Sequence, residues 1–297
     1  MTTLENTKGV YVASHRPGGI LLTLLGRLVA YLPLILWSAT NIFLLGWLLL
    51  NALKTNQQIF ANPWALPKDG PHWENFARAW QVGKFGYFVF NSVYITAVSV
   101  TLTVLISAMA AYVLGRFEFR LNRPIYYYLL SGLMVPYQLL LVPLVLQFTA
   151  MKLYDTPIGL ILVYITMPIP FTVFFLAAFF GSLPTELEEA AALDGCSEFG
   201  IFWRIMFPLA SPGLITMGVY NALWAFNEYI LSLVLIESSQ YRTLPLGVAY
   251  LNSAMQFTAD WSLLFAGLIM LIVATLSFYA LMSGRIQSGL TVGALKG

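Results

Sequence analysis

Six long apolar runs alternate with polar stretches along the chain, at residues 28–53, 88–114, 125–150, 158–182, 212–236 and 262–282. A helix crosses a bilayer with about 20 such residues, so the pattern predicts an all-α integral membrane protein with six transmembrane helices. The second run is rich in Ser, Thr and Ala, residues that let helices approach closely in lipid, and it is expected to be buried among its neighbours. Pro136 and Pro143 interrupt the third run, and Pro168 and Pro170 the fourth. The first loop, residues 54–87, concentrates proline and aromatics, with Trp64, Trp73, Trp80 and Tyr87 among them. Such rings favour the headgroup level, so the loop reads as an interfacial anchor, with contact to an external partner as the alternative. Residues 73–81 within it predict a short helix along the outer surface.

Arg116, Arg120 and Arg123 follow the second run at once. Cytoplasmic loops carry the excess of Lys and Arg, which sets this turn inside and, with six spans, both termini inside as well. The chain then divides into a cytoplasmic N-terminal tail (1–27), a six-span domain (28–282) and a cytoplasmic C-terminal tail (283–297). The apolar run at residues 20–25 is too short for a signal-peptide core.

The same orientation puts the long polar stretch at residues 184–212 on the inner side. It far exceeds the usual connection between neighbouring helices. Thr185 with Glu188 predicts a capping box, Ala190, Ala191 and Ala192 continue a helix, and Gly195 stops it. A second short helix is expected over residues 198–207, closed by Pro208. Glu186, Glu188, Glu189, Asp194 and Glu198 stand against a single base, Arg204. An ordinary amphipathic loop helix lying on the membrane is the alternative, but such helices are usually basic and this one is acidic.

Composition narrows the class further. The 297 residues are 59% hydrophobic and 9% charged, where soluble domains carry about 25% charged residues. A net charge of +2 argues against nucleic acid, and the one cysteine, Cys196, allows no internal disulfide. No G-x4-G-K-[ST] loop occurs, so any ATP that drives the protein is bound by another chain. His15 and His72 fall on opposite sides of the predicted membrane, which removes the clustered constellation a membrane enzyme would need.

Glu189-Ala190-Ala191, Gly195 and Ile205-Met206-Phe207-Pro208 resemble the EAA motif of ABC-importer permeases, E-A-A-x3-G-x9-I-x-L-P, with Phe207 in place of Leu. Asn91-Ser92, Ala110-Ala111-Tyr112, Arg116-Phe117, Pro136 and Pro143 resemble the carbohydrate-uptake permeases. The ending from Gly289 to Gly297, GLTVGALKG, resembles that of the maltose-type second permease subunit. The resemblance implies a type I ABC importer permease (MetI-like) fold, with a five-helix core and the first span wrapped outside it. It implies a coupling helix seated in a groove of the ATPase, with Glu188, Glu189, Ala190, Ala191, Asp194, Gly195, Ile205 and Pro208 carrying the contact. Lys296 and Gly297 are expected to reach the same interface. The implied partners are a second homologous permease subunit, an ATPase dimer and an extracytoplasmic solute-binding protein. No cofactor is expected on this chain, since ATP and magnesium are used by the ATPase. The implied location is a bacterial or archaeal cytoplasmic membrane.

For the cargo, the candidates are Trp224, Asn227 and Glu228 in the fifth span, with Asn91 in the second. Glu228 is the one acid placed inside a span, and an ionisable group there is a functional hypothesis by default. At 1.5 Å per residue it lies ~24 Å from Pro212, in the outer half of the membrane. Trp224 is one turn away on the same face. Aromatic stacking with fixed polar groups suits a sugar; the alternative is hydrogen bonding that holds the span to a partner subunit. Importers of glycerol-3-phosphate share these signatures, but no Lys or Arg falls mid-span to hold a phosphate. An ion-coupled secondary transporter would need several intramembrane acids.

Overall fold

The computed structural model describes residues 17–258 and 260–294, all of the regular structure among them helical. Two compact units divide at Leu50 and Asn51. The first unit is the body of helix α1 (Pro17–Ala52), mostly apolar, with Trp37 74% exposed as suits a lipid-facing surface. The second unit holds everything after it. Short helices α2 (Asn56–Ala61) and α3 (Glu74–Val82) precede the long α4 (Phe85–Arg116). Then come α5 (Asn122–Ser131), α6 (Leu141–Ala150), α7 (Pro157–Thr166) and α8 (Ile169–Gly181). The polar segment contributes α9 (Glu186–Leu193), α10 (Glu198–Ile201) and α11 (Phe207–Leu209). The chain ends with α12 (Ser211–Asn227), α13 (Ile230–Leu235), α14 (Leu244–Thr258) and α15 (Trp261–Ala294).

Helix α4 is the axis of the second unit and packs on α7, α8, α12 and α14. Its small polar residues are the reason. Ser92, Thr96, Ser99, Thr103 and Ser107 recur at three- and four-residue spacing and are all buried. Ser99 and Thr103 donate to the carbonyls of Ile161 and Ile165 on α7, at 3.4 and 3.1 Å. Gly115 lets α8 come closer still, since a Cβ there would stand 2.6 Å from the Ala177 carbonyl oxygen. In lipid, where apolar burial gives no drive, close backbone approach and hydrogen bonds of about 0.6 kcal/mol each hold helices together.

Three helices are individually long and apolar enough to cross a membrane, and six spans result if each of three bent pairs counts as one. The third span bends by 87° between Met134 and Tyr137 and the fourth by 42° between Thr166 and Ile169, while the third bent pair joins Glu198–Leu209 of the polar segment to Ser211–Asn227 at 72°. Prolines sit at each bend. Val135, ahead of Pro136, is driven to extended backbone because the proline ring excludes the helical conformation of its predecessor. The helix predicted over residues 73–81 is present as α3, and α14 fills most of the stretch between the fifth and sixth apolar runs. Helix α1 begins at Pro17, and α15 runs on to Ala294 without a break after residue 282.

Candidate functional site

The polar segment is a compact body fixed to the ends of α4 and α8. Helix α9 ends in a Schellman cap: the Cys196 N–H donates to the Ala191 carbonyl and the Gly195 N–H to that of Ala192, both at 3.0 Å. Gly195 has φ +83°, the left-handed conformation this cap requires and glycine adopts without a Cβ penalty. The expected capping box at the other end is not formed. Thr185 has helical backbone angles and its side chain caps nothing. Glu188 turns instead to Arg116, the last residue of α4, accepting from its Nε at 2.8 Å and from its Nη2. Arg116 also donates to the Leu183 carbonyl at 2.9 Å, at the C-terminal end of α8. One guanidinium thus joins three helix ends, and a charge-assisted pair outcompetes a neutral hydroxyl cap.

The second half of the segment departs from the sequence reading as well. Pro208 does not close the helix. The π turn Phe202–Met206 precedes it and α11 carries on through Leu209. A proline inside a helix removes one backbone donor and crowds the preceding turn, and a π turn is a standard way to absorb that. Beneath it, Ala191, Ile201, Phe202 and Met206 are buried against Tyr112, Leu176 and Phe180. Phe202 packs on Tyr112 at 5.1 Å between ring centres. Ile205 is half-buried in this cluster and Pro208 is exposed. The outward surface carries Glu186, Glu189, Ala190, Ala192, Asp194 and Gly195, all exposed. Leu193 and Phe199 are the most exposed apolar side chains of the segment, at 89% and 73%. The arrangement is a rigid knob, acidic with apolar points, anchored to two spans.

A second feature lies where the bent spans meet. A cavity of about 230 Å³ is lined by Tyr137, Phe171, Tyr220 and Trp224, with Met167 and Pro168, and no charged side chain lines it. Phe171 and Tyr220 are 5.0 Å apart between ring centres. Val135, at the Pro136 break, and Met167 and Pro168, at the α7–α8 break, are among the residues that line it. Trp224 therefore faces a cavity. Asn227 is exposed at the end of α12, its side-chain amide donating to the Leu223 carbonyl at 2.8 Å. Glu228 is buried, 6% exposed, and held by donors from α7 and α13. Asn91 donates to the carbonyls of Gln240 and Arg242, at 2.8 and 3.0 Å, tying α4 to the link between α13 and α14. Lys296 and Gly297 lie outside the described residues. Sequence reasoning missed two contacts made by residues distant in the chain: Arg116, noted for sidedness and for the family resemblance, clamps Glu188, and Tyr164 binds Glu228.

Residues 103–284 match the family described as "Binding-protein-dependent transport system inner membrane component". The chain belongs to this family. It is an ABC-transporter permease of the carbohydrate-uptake group, a multi-pass membrane transport subunit that is not itself the ATPase. It is 36% identical over 270 residues to the diacetylchitobiose uptake system permease protein NgcG of Streptomyces coelicolor, covering 90% of this chain and 88% of that one. It is 38% identical over 273 residues to the probable ABC transporter permease protein YurM of Bacillus subtilis, covering 92% and 90%. Its fold is similar to a chain of a bacterial ABC transporter that imports the acidic polysaccharide alginate, with a TM-score of 0.71, 18% identity, and 93% and 98% of the two chains covered. In this permease, then, the anchored knob and the aromatic cavity are the two places where transport chemistry can be sought.

Proposed function

We propose that this permease forms, with a second homologous permease subunit, the translocation path of an ATP-driven importer of a sugar or oligosaccharide. A separate ATPase dimer drives it by docking on α9, and an extracytoplasmic solute-binding protein delivers the cargo. Both termini lie in the cytoplasm on this reading. The observation that carries it is the knob itself: a helix exposed on one face, stopped by Gly195, and clamped to α4 and α8 by Arg116. Such a body moves with the spans it is tied to, which is what rigid-body alternating access requires. Exposed Glu189, Ala190 and Asp194 would contact the ATPase, whose basic residues an acidic face attracts.

The cargo reading rests on the cavity. Aromatic walls with no fixed charge suit the apolar faces of a neutral sugar, while a phosphorylated cargo would want an Arg or Lys there. Relatives named for diacetylchitobiose and trehalose uptake agree with that preference. The test is co-expression with the genetically adjacent transporter genes, purification, and an ATPase assay with and without Ala190→Trp. Ala190 is exposed, so the fold tolerates the ring while a docking groove does not. An assembled complex whose hydrolysis falls at least tenfold supports the coupling role. Full assembly and activity with the bulky residue would defeat it. Uptake of labelled diacetylchitobiose, trehalose and glycerol-3-phosphate by cells carrying the complex sorts the cargo class.

A further inference from the structure

Glu228 sits at a break in the fifth span. Helix α12 stops at Asn227, Glu228 is extended (φ −65°, ψ 132°), and α13 restarts at Ile230. Its carboxylate points back into the protein rather than into the cavity. Oε1 accepts from the Leu231 N–H at 2.8 Å, and Oε2 from the Ser232 N–H at 3.1 Å. These are two of the backbone donors that any helix start leaves without partners. Oε2 also accepts from the Tyr164 hydroxyl of α7 at 2.7 Å. All four residues are buried, with exposures of 6% for Glu228, 1% for Tyr164, and 0% for Leu231 and Ser232.

Tyr164 has a second contact. Its ring meets Trp224 edge-on, 5.4 Å between centres, and Trp224 is part of the cavity wall. The same side chain therefore fixes the break through its oxygen and the wall through its ring. We infer that Tyr164 and Glu228 are a positioning pair: they lock the α12–α13 break to α7 and so hold Trp224 in place along the translocation path. Neither touches cargo. A carboxylate is suited to the task because it supplies acceptors for three donors converging from two elements. A serine or asparagine cap offers one acceptor oxygen where the carboxylate offers two, and a donor left unmet in an apolar span is costly. The inference rests on the cavity being the cargo path, and the experiment separates the two claims.

The assembled transporter is reconstituted in lipid nanodiscs with Cys196→Ser and Asn227→Cys, so that the only thiol on this subunit stands at the exposed residue before the break. The rate of its reaction with a water-soluble methanethiosulfonate is compared with and without Tyr164→Phe, which keeps the ring and removes only the hydroxyl. Glu228→Gln is the second variant, in which an amide nitrogen must face one of the three donors. Each variant is expected to change the labelling rate at least fivefold, and the two together no more than either alone. In cells, with native Asn227, the same variants raise the apparent KM for the transported sugar three- to tenfold and leave the maximal rate within twofold. Unchanged labelling in both variants overturns the pair. Labelling that moves while Trp224→Ala leaves the KM for uptake unaltered overturns the cavity as cargo path, and with it the positioning of Trp224, but not the lock on the break.

Discussion

Removing the Arg116 side chain is the sharpest test of how the knob is held. The Arg116 and Glu188 side chains are 6% and 19% exposed, so water replaces neither well. Arg116→Ala deletes the tie to Glu188, the 2.9 Å bond to the Leu183 carbonyl, and longer contacts at 3.5 Å to the carbonyls of Phe180 and Pro184. Hydrogen bonds to charged groups contribute about 1.5–3 kcal/mol, and stripping one partner from a buried pair costs about 3–5 kcal/mol. Partial exposure of Glu188 pulls the figure to the lower end, about 2–3 kcal/mol. Glu188→Ala leaves the carbonyl contacts in place and should cost less, about 1–2 kcal/mol. Because the two share one interaction, the double variant should fall short of the sum by more than 1 kcal/mol. The cycle is measured by denaturant titration in mixed micelles, with stimulated ATP hydrolysis followed in parallel. Losses that add within about 0.5 kcal/mol would show that Arg116 and Glu188 act separately, and the anchored-knob argument would fail.

Other expectations follow from single contacts. Gly195→Ala meets no atom within 4 Å, so its cost is conformational alone, about 1–2 kcal/mol for a left-handed alanine, and Gly195→Asn should recover part of it in the same titration. Gly115→Ala places a methyl 2.6 Å from the Ala177 carbonyl oxygen and should cost about 1–3 kcal/mol by overpacking, visible as a lower unfolding midpoint. At the start of α15, burial alone would raise the Asp260 carboxyl. The Ser262 hydroxyl, the Leu263 N–H and Arg78 together bring it below its ordinary value. A depressed carboxylate contributes stability that is complete above its unfolded value, about 3.9, and is lost as pH falls through the lower folded one. Wild type should therefore weaken below about pH 4, and Asp260→Asn should be less stable at pH 7 but flatter across that acid window.

How much of this was legible in the sequence varied with the range of the interaction. Gly195 was readable because its effect is local: a glycine after an alanine run can only mean a few things. The span count was readable from hydropathy, since lipid imposes length and apolarity on each run. Pro136 announced a break, but not an 87° bend, because the angle depends on what packs around the extended Val135. The capping box failed because its competitor, Arg116, lies 72 residues away in sequence from Glu188. The residue types at Glu228 and Trp224 pointed to a special place, while Tyr164 gave no signal among the other aromatics of its run. Its partners come from a different span, and no spacing rule encodes them.

The exposed Leu193 and Phe199 have a bearing on biogenesis. A newly inserted copy would hold two large apolar side chains out in the aqueous compartment on the knob, beside an otherwise acidic surface. Chaperones and proteases that patrol membranes read such points as unfinished. Survival of the subunit would then depend on prompt capture by its assembly partner, so its abundance in cells should follow that partner's supply and collapse when the chain is made alone.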